Sequence, residues 1–405
     1  MIKTLQLLLA LCCFVFVLFS PYTKLFVKVM CVICFLLWGL IAVLRSKLPQ
    51  PAGEKLFLNF MPPNPLNKFV LFFLSSAVFS TLLSVNIAHS QRILIERYIL
   101  FALFFIYGAF ISYSKKYVLP LIIVFAASGF IFGIGGIWDY FRSLNMRLFT
   151  IFGKPVDFTI YLGFFIPLSC ALAFFAKNKL LRFIGWGNIF LLWPCLVFNA
   201  SRALWVAAPM AVLFICFLKN KNIFLIVLLV ITIGWSFLSP VYKKRASTTF
   251  DVSTWNRIDI YMSAIKIFKD YPVYGAGLGM SEKLLRQYAQ PGGFSDGDKH
   301  LHAHNTYLEV MADMGITGAI LFMLIFAGFF TLLLRDKLLW LNYPCDEQAI
   351  LLGLSGSVLA TLIVASAATI ITVGVTDSTV FWFLLGIVSG LLPAAQRIKA
   401  ATEYT

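Results

Sequence analysis

Apolar stretches of about 20 residues recur along this 405-residue chain, and nothing else in it limits the fold so tightly. A run of that length crosses the hydrocarbon core of a bilayer as a helix. Inside a bilayer every backbone N–H and C=O must be bonded within the protein, so helices are the form open to such segments. Residues 4–20, 25–44, 69–88, 98–114, 117–137, 158–176, 183–199, 203–218, 223–240, 316–334, 349–373 and 380–395 qualify, about twelve spans. Composition agrees: 60% of the residues are hydrophobic, 12% are charged and 42 are Phe. A soluble domain is nearer half apolar and a quarter charged. The expected fold class is an all-α polytopic membrane protein with about twelve transmembrane helices.

The formal charge of +16 has its explanation in the loops. Cytoplasmic loops collect Lys and Arg. With a cytoplasmic N-terminus, one set of loops holds Arg45, Lys47, Lys55 and Lys68, then Lys115 and Lys116, then Lys177, Lys179 and Arg182. It continues with Lys219 and Lys221, Arg335 and Lys337, and Arg397 and Lys399. The opposite set is poorer, with Lys24, Arg92, Arg97, Arg142, Arg147, Lys154 and Arg202. The expected partners are therefore membrane lipids and not nucleic acid, with both termini cytoplasmic. Seven of the eight cysteines sit within apolar runs and Cys345 lies in a short loop, so they read as packing and not as a disulfide framework. The apolar start after Met1-Ile2-Lys3 reads as an uncleaved first helix.

Three regions follow: an N-terminal bundle of nine spans over residues 1–240, a polar loop over 241–315, and three further spans with a short tail over 316–405. The loop between spans 9 and 10 falls on the extracytoplasmic side, the periplasm in a bacterium. It is the one long polar segment in the chain. Ile258, Tyr261, Met262, Ile265 and Phe268 recur at helical spacing between Trp255 and Lys269, which predicts an amphipathic helix lying along the membrane surface. Tyr271-Pro272 ends it. The Tyr274-Gly275-Ala276-Gly277-Leu278-Gly279 turn follows, either a plain tight turn or a place where backbone approaches a ligand. Residues 290–299, with Pro291, Gly292, Gly293 and Gly297, read as a mobile segment able to act as a lid. A second helix starts near Asn305, and Gly315 bends the chain before the next span.

His300, His302 and His304 alternate, and would share one face of an extended strand. They fit three readings: zinc ligands, an inert solvated cluster, or one His as a general base. Zinc wants a fuller ligand set than Asp296 and Asp298 supply. A base is favoured at His304, because the positive end of the following helix disfavours imidazolium. Arg202, after Ser201 at an outer helix end, is either a snorkelling interfacial residue or a diphosphate ligand. Arg257 and Arg286 are further candidates for a diphosphate, since the guanidinium fork suits phosphate oxygens. Arg97 and Tyr274 are candidate substrate contacts, as is Asn305. Asp377 either accepts a sugar hydroxyl or caps the last helix.

The ordered set Ser201-Arg202-Ala203-Leu204-Trp205, Arg257 with Tyr261, Tyr274-Gly275-Ala276-Gly277, His304-Asn305-Thr306-Tyr307-Leu308-Glu309 and Gly315-Ile316-Thr317-Gly318 resembles the O-antigen ligase and polymerase superfamily. The likeness covers the second half of the chain. It implies a GT-C-type membrane glycosyltransferase needing neither metal nor cofactor. The implied donor is O-antigen on undecaprenyl diphosphate; for the ligases the implied acceptor is a sugar hydroxyl of the lipid A–core oligosaccharide. His304 then matches the family's essential His, Arg202 the Arg of the outer helix end, and Arg257 the Arg of the loop helix. Arg286 and Asp377 match by position only, and His300 and His302 have no counterpart that the family requires. An O-antigen polymerase and a protein O-oligosaccharyltransferase of the same superfamily are alternatives. A lipid-linked glycan transporter fits less well, because the span centres are nearly free of charge.

Overall fold

The computed structural model describes residues 2–20, parts of 29–40, 62, 64–113, 115–143, 155–247, 252–289, 302–373 and 375–393. All regular structure among them is helical. We number the helices α1 (Ile2–Phe19), α2 (Asn67–Leu82), α3 (Ile87–Tyr113), α4 (Val118–Ser143), α5 (Pro155–Phe175), α6 (Lys179–Phe198), α7 (Arg202–Lys219), α8 (Lys221–Phe237), α9 (Pro240–Ser247), α10 (Val252–Asp270), α11 (Met280–Tyr288), α12 (Thr306–Arg335), α13 (Lys337–Trp340), α14 (Cys345–Ala365) and α15 (Val375–Gly390). Seven of these, α3 to α7, α12 and α14, are long and apolar enough to cross a membrane; α2, α8, α15 and the Leu7–Phe19 part of α1 are shorter apolar helices. The chain is a polytopic, all-helical membrane protein. Cys31 and most of the expected 25–44 span lie outside the described residues.

Asparagine starts several helices. The side chains of Asn178, Asn220 and Asn305 each accept from two backbone N–H groups of the first turn, and Asn86 accepts from His89. These are donors that no intrahelical carbonyl can reach. One helix differs from the sequence expectation. The chain turns at residues 83–86, so Arg92 and Arg97 lie on α3 and not in a loop, and residues 94–99 of α3 form a π-helical stretch. α12 agrees with the expectation: the helix starts at Thr306 behind the Asn305 cap, and Gly315 is non-helical where the bend was expected.

The core pairs are α5 with α14 and α3 with α15. In the second pair small residues bring backbones together. A Cβ on Gly108 would lie 2.1 Å from the Phe383 carbonyl oxygen, and one on Gly386 would lie 2.1 Å from that of Phe105. Such close approach is how helices associate where lipid removes the hydrophobic drive between them. At the rim, α8 buries no residue, and Leu225, Ile226, Leu229, Val230 and Phe237 are exposed as a lipid-facing helix requires.

α7 and α14 run antiparallel. Lys219, at the end of α7, bonds Gln348 near the start of α14. Toward the other end, Leu204 and Ala360 meet at Gly163. From Lys219 back to Arg202 and from Gln348 on to Ala365 are each about 26 Å of helix at 1.5 Å per residue. Arg202 and the 366–371 turn therefore share one end of the bundle. α12 starts at that end too, since the Tyr307 hydroxyl donates to the Leu362 carbonyl at 2.8 Å.

A second, smaller core caps this end: Ile260, Ala264 and Ile267 of α10, Ala276, Met280, Leu284 and Leu285, and Ala312 of α12. This corrects the expected face of α10. The residues it buries fully are Ile260, Ala264 and Ile267; Tyr261 packs partly against them, and Met262 is half exposed. Small residues at 263 and 264 let α10 approach α12 closely, and a tally of large apolar residues overlooks them.

Candidate active site

The loop after α14 is the meeting point. Arg257 Nη1, on α10, donates to the Ala367 carbonyl at 3.2 Å. The Thr306 hydroxyl, first residue of α12, donates to the neighbouring Ala368 carbonyl at 3.0 Å and accepts from the Ile370 N–H at 3.2 Å. From the other side Ser378 donates to the Ile370 carbonyl at 2.7 Å, which sets Asp377, buried in the first turn of α15, beside the same loop. One helical turn from Arg257, the Tyr261 hydroxyl donates to the His304 carbonyl at 3.4 Å. Arg257, His304, Asn305 and Asp377 are thus gathered around residues 367–370. Arg202 heads α7 at the same end of the bundle.

His304 sits just before the Asn305 cap and is exposed. Its φ of 48° is left-handed, which costs a non-glycine residue about 1 kcal/mol and tends to persist at functional positions. A left-handed residue is not part of a strand, so His304 does not share the expected strand face with His302. His300 lies outside the described residues, as does the expected lid at 290–299. Among the described residues no group of three His, Cys, Asp or Glu is placed to hold a metal ion.

Two turns along α12, a second group forms. Asp313 is buried and accepts from the Gly279 N–H at 2.8 Å and the Ser281 N–H at 2.7 Å, capping α11. The glycine-rich turn is laid against the Gly315 break: Ala276 N–H donates to the Ala312 carbonyl at 2.9 Å, and Ile316 N–H to that of Pro272 at 2.8 Å. A Cβ on Gly275 would fall 2.3 Å from the Asp313 carbonyl oxygen, and one on Gly315 2.4 Å from the Val273 carbonyl. The backbone these glycines admit is the protein's own. Tyr274 is exposed beside Phe79, at 6.3 Å between ring centroids.

Arg97 is paired. Its Nη1 donates to Glu282 Oε1 at 2.8 Å, and His302 Nδ1 lies 3.5 Å from the same oxygen. Arg286 is exposed on the outer face of α11 and has no ion pair among the described residues. Glu282, Glu309 and Asp313 were not foreseen as site residues. Glu309 and Asp313 are buried one turn apart in an otherwise apolar helix, and that spacing of carboxylates is a signal of function in a membrane chain. Below them Tyr288 donates to Asp270 at 2.6 Å, and this hydrogen bond pushes its phenol up to about 12 while tying the end of α11 to the end of α10.

Residues 187–323 match the family model for O-antigen ligase. Over that stretch the chain is similar to the O-antigen ligase family. No match is found among curated proteins. The O-antigen ligase stretch takes in Arg202, Arg257, Arg286, His304 and the glycine turn; Arg97 and Asp377 come from outside it. Members of that family are membrane glycosyltransferase-like enzymes.

Proposed function

We propose that this chain is an O-antigen ligase of GT-C type in a bacterial inner membrane, with about twelve spans, cytoplasmic termini and residues 241–315 facing the periplasm. It transfers O-antigen polysaccharide from undecaprenyl diphosphate to a sugar hydroxyl of lipid A–core oligosaccharide. What supports the reading is that Arg257 and Thr306 bond one loop while Tyr261, a turn from Arg257, bonds His304; Arg257, Tyr261 and His304 stand at the positions that the O-antigen ligase resemblance singles out.

The lipid tail of the donor lies along apolar helices, and its diphosphate meets Arg202 and Arg257. Their guanidinium forks offset the charge that grows on the departing phosphate oxygen. His304 takes the proton of the acceptor hydroxyl. That oxygen forms a bond to the anomeric carbon as the bond from this carbon to the phosphate oxygen breaks, and the electron pair leaves with undecaprenyl diphosphate. Attack from the opposite face inverts the anomeric configuration. The arginines serve where a metal would otherwise neutralise phosphate, so the reaction runs without metal or cofactor. Asn305, Asp377, Tyr274 and Arg286 are candidate contacts to the two glycans.

Lipopolysaccharide profiles of a deletion strain test this. We expect no O-chain on the core, restored by the wild-type gene and not by His304→Ala at equal expression. Cores carrying a single repeat unit would point instead to a polymerase, and loss of glycan from a protein to an oligosaccharyltransferase of the same superfamily.

A further inference from the structure

His304 is exposed, yet the four-residue segment around it is fixed on both sides. Asn305 caps α12 through two backbone N–H groups, and Ala303 is fully buried. Upstream, His302 points its Nδ1 at Glu282 Oε1, at 3.5 Å. That oxygen is already the acceptor for Arg97 at 2.8 Å, and the Arg97 and Glu282 side chains are only 15% and 16% exposed. Glu282 itself cannot drift. It stands in the first turn of α11, whose start is held by the Asp313 carboxylate through Gly279 and Ser281. Arg97 comes from the π-helical stretch of α3, a rare form that gathers at functional sites.

We propose that Glu282 is a positioning residue for the transfer reaction. One carboxylate oxygen, held by Arg97, anchors the imidazole of His302 and through it sets the backbone from which His304 reaches the acceptor. This rests on the reading of His304 as the base. It gives His302 a task, and it moves Arg97 from substrate contact to support, since the Glu282 carboxylate offsets the guanidinium charge that a diphosphate would need. The charge matters as well as the shape, because the oxygen that accepts from Arg97 also lies within ion-pair distance of the imidazole.

The test uses the full-length protein in native membranes, with lipid-linked O-antigen and lipid A–core extracted from the same bacterium as substrates. Glu282→Gln and His302→Ala should each lower kcat at least tenfold, with the donor KM within twofold of wild type. His302→Asn, whose amide nitrogen takes the place of Nδ1, should recover kcat to within about threefold of wild type. The double variant Glu282→Gln with His302→Ala should be no slower than the slower single, since both break one contact. Wild-type kcat in both single variants overturns the proposal, as does a His302→Asn no better than His302→Ala or a double variant that multiplies the two losses. Should Glu282→Gln fail to accumulate, the comparison of His302→Ala with His302→Asn still decides. His304→Ala runs alongside: if it is inactive while the Glu282 and His302 variants are normal, only the positioning role falls, and if it is active the base goes and the positioning role with it.

Discussion

At the scale of single residues, Arg257 is where chemistry and packing can be told apart. Its guanidinium has one nitrogen on the Ala367 carbonyl, a contact that a lysine ammonium can also make. A fork on phosphate oxygens is beyond lysine. Arg257→Lys should therefore leave membrane abundance unchanged and lower transfer about tenfold, or about 1.4 kcal/mol in the transition state; a loss of abundance equal to the loss of rate would make its role structural. Arg257, His304 and Asn305 were legible in the sequence because polar residues are conspicuous between membrane spans. Arg97 was legible only as a charge. Its partner Glu282 lies 185 positions away, and no local pattern reports a contact of that range. Glu309 and Asp313 escaped for a different reason. They continue the helix begun by Asn305 into an apolar stretch, where large hydrophobic neighbours dominate the pattern.

Among the elements, the decisive unit is the glycine turn locked into the break of α12. Gly315 has φ 64° and ψ −162°, a region that only glycine enters without strain. Gly315→Ala adds that strain to a Cβ 2.4 Å from the Val273 backbone, and should destabilise the fold by at least about 2 kcal/mol. A lowered thermal midpoint and reduced membrane abundance would report it; an unchanged midpoint would contradict this geometry. Asp313→Ala removes the cap of α11, and the amides from Gly279 to Ser281 should then exchange hydrogen faster, with those of α5 unaltered. Sequence signals found this unit's boundaries, because Asn305, Pro272 and Gly315 punctuate the chain strongly. They did not find what the turn touches. A glycine-rich turn signals close approach without saying to what, and here the neighbour is the carbonyl of Asp313. The face of α10 was misjudged for a similar reason, since close packing is made by Ala264 and Ser263.

For the whole molecule, the antiparallel course of α7, α14 and α12 sets Arg202, the 366–371 turn and His304 at one end. In the proposed topology, which rests on the charge bias of the loops, that end faces the periplasm. Exposed Lys283 and Arg286 of α11 offer a check of sidedness. In a variant with the native cysteines removed, Lys283→Cys should react with a membrane-impermeant maleimide in intact spheroplasts, whereas labelling only after lysis would invert the topology. Hydropathy disclosed the bundle, since apolar length is written locally, but it divided α3 wrongly where the helix continues through Arg92 and Arg97. The most direct measurement is transfer by purified protein in liposomes. Lipid-linked O-antigen and lipid A–core are supplied with and without chelator, and the product is followed as a shift from core to ladder on a gel. The account predicts a ladder from wild type that EDTA leaves intact, and none from His304→Ala. A ladder from that variant, or none from wild type with both substrates present, would contradict it.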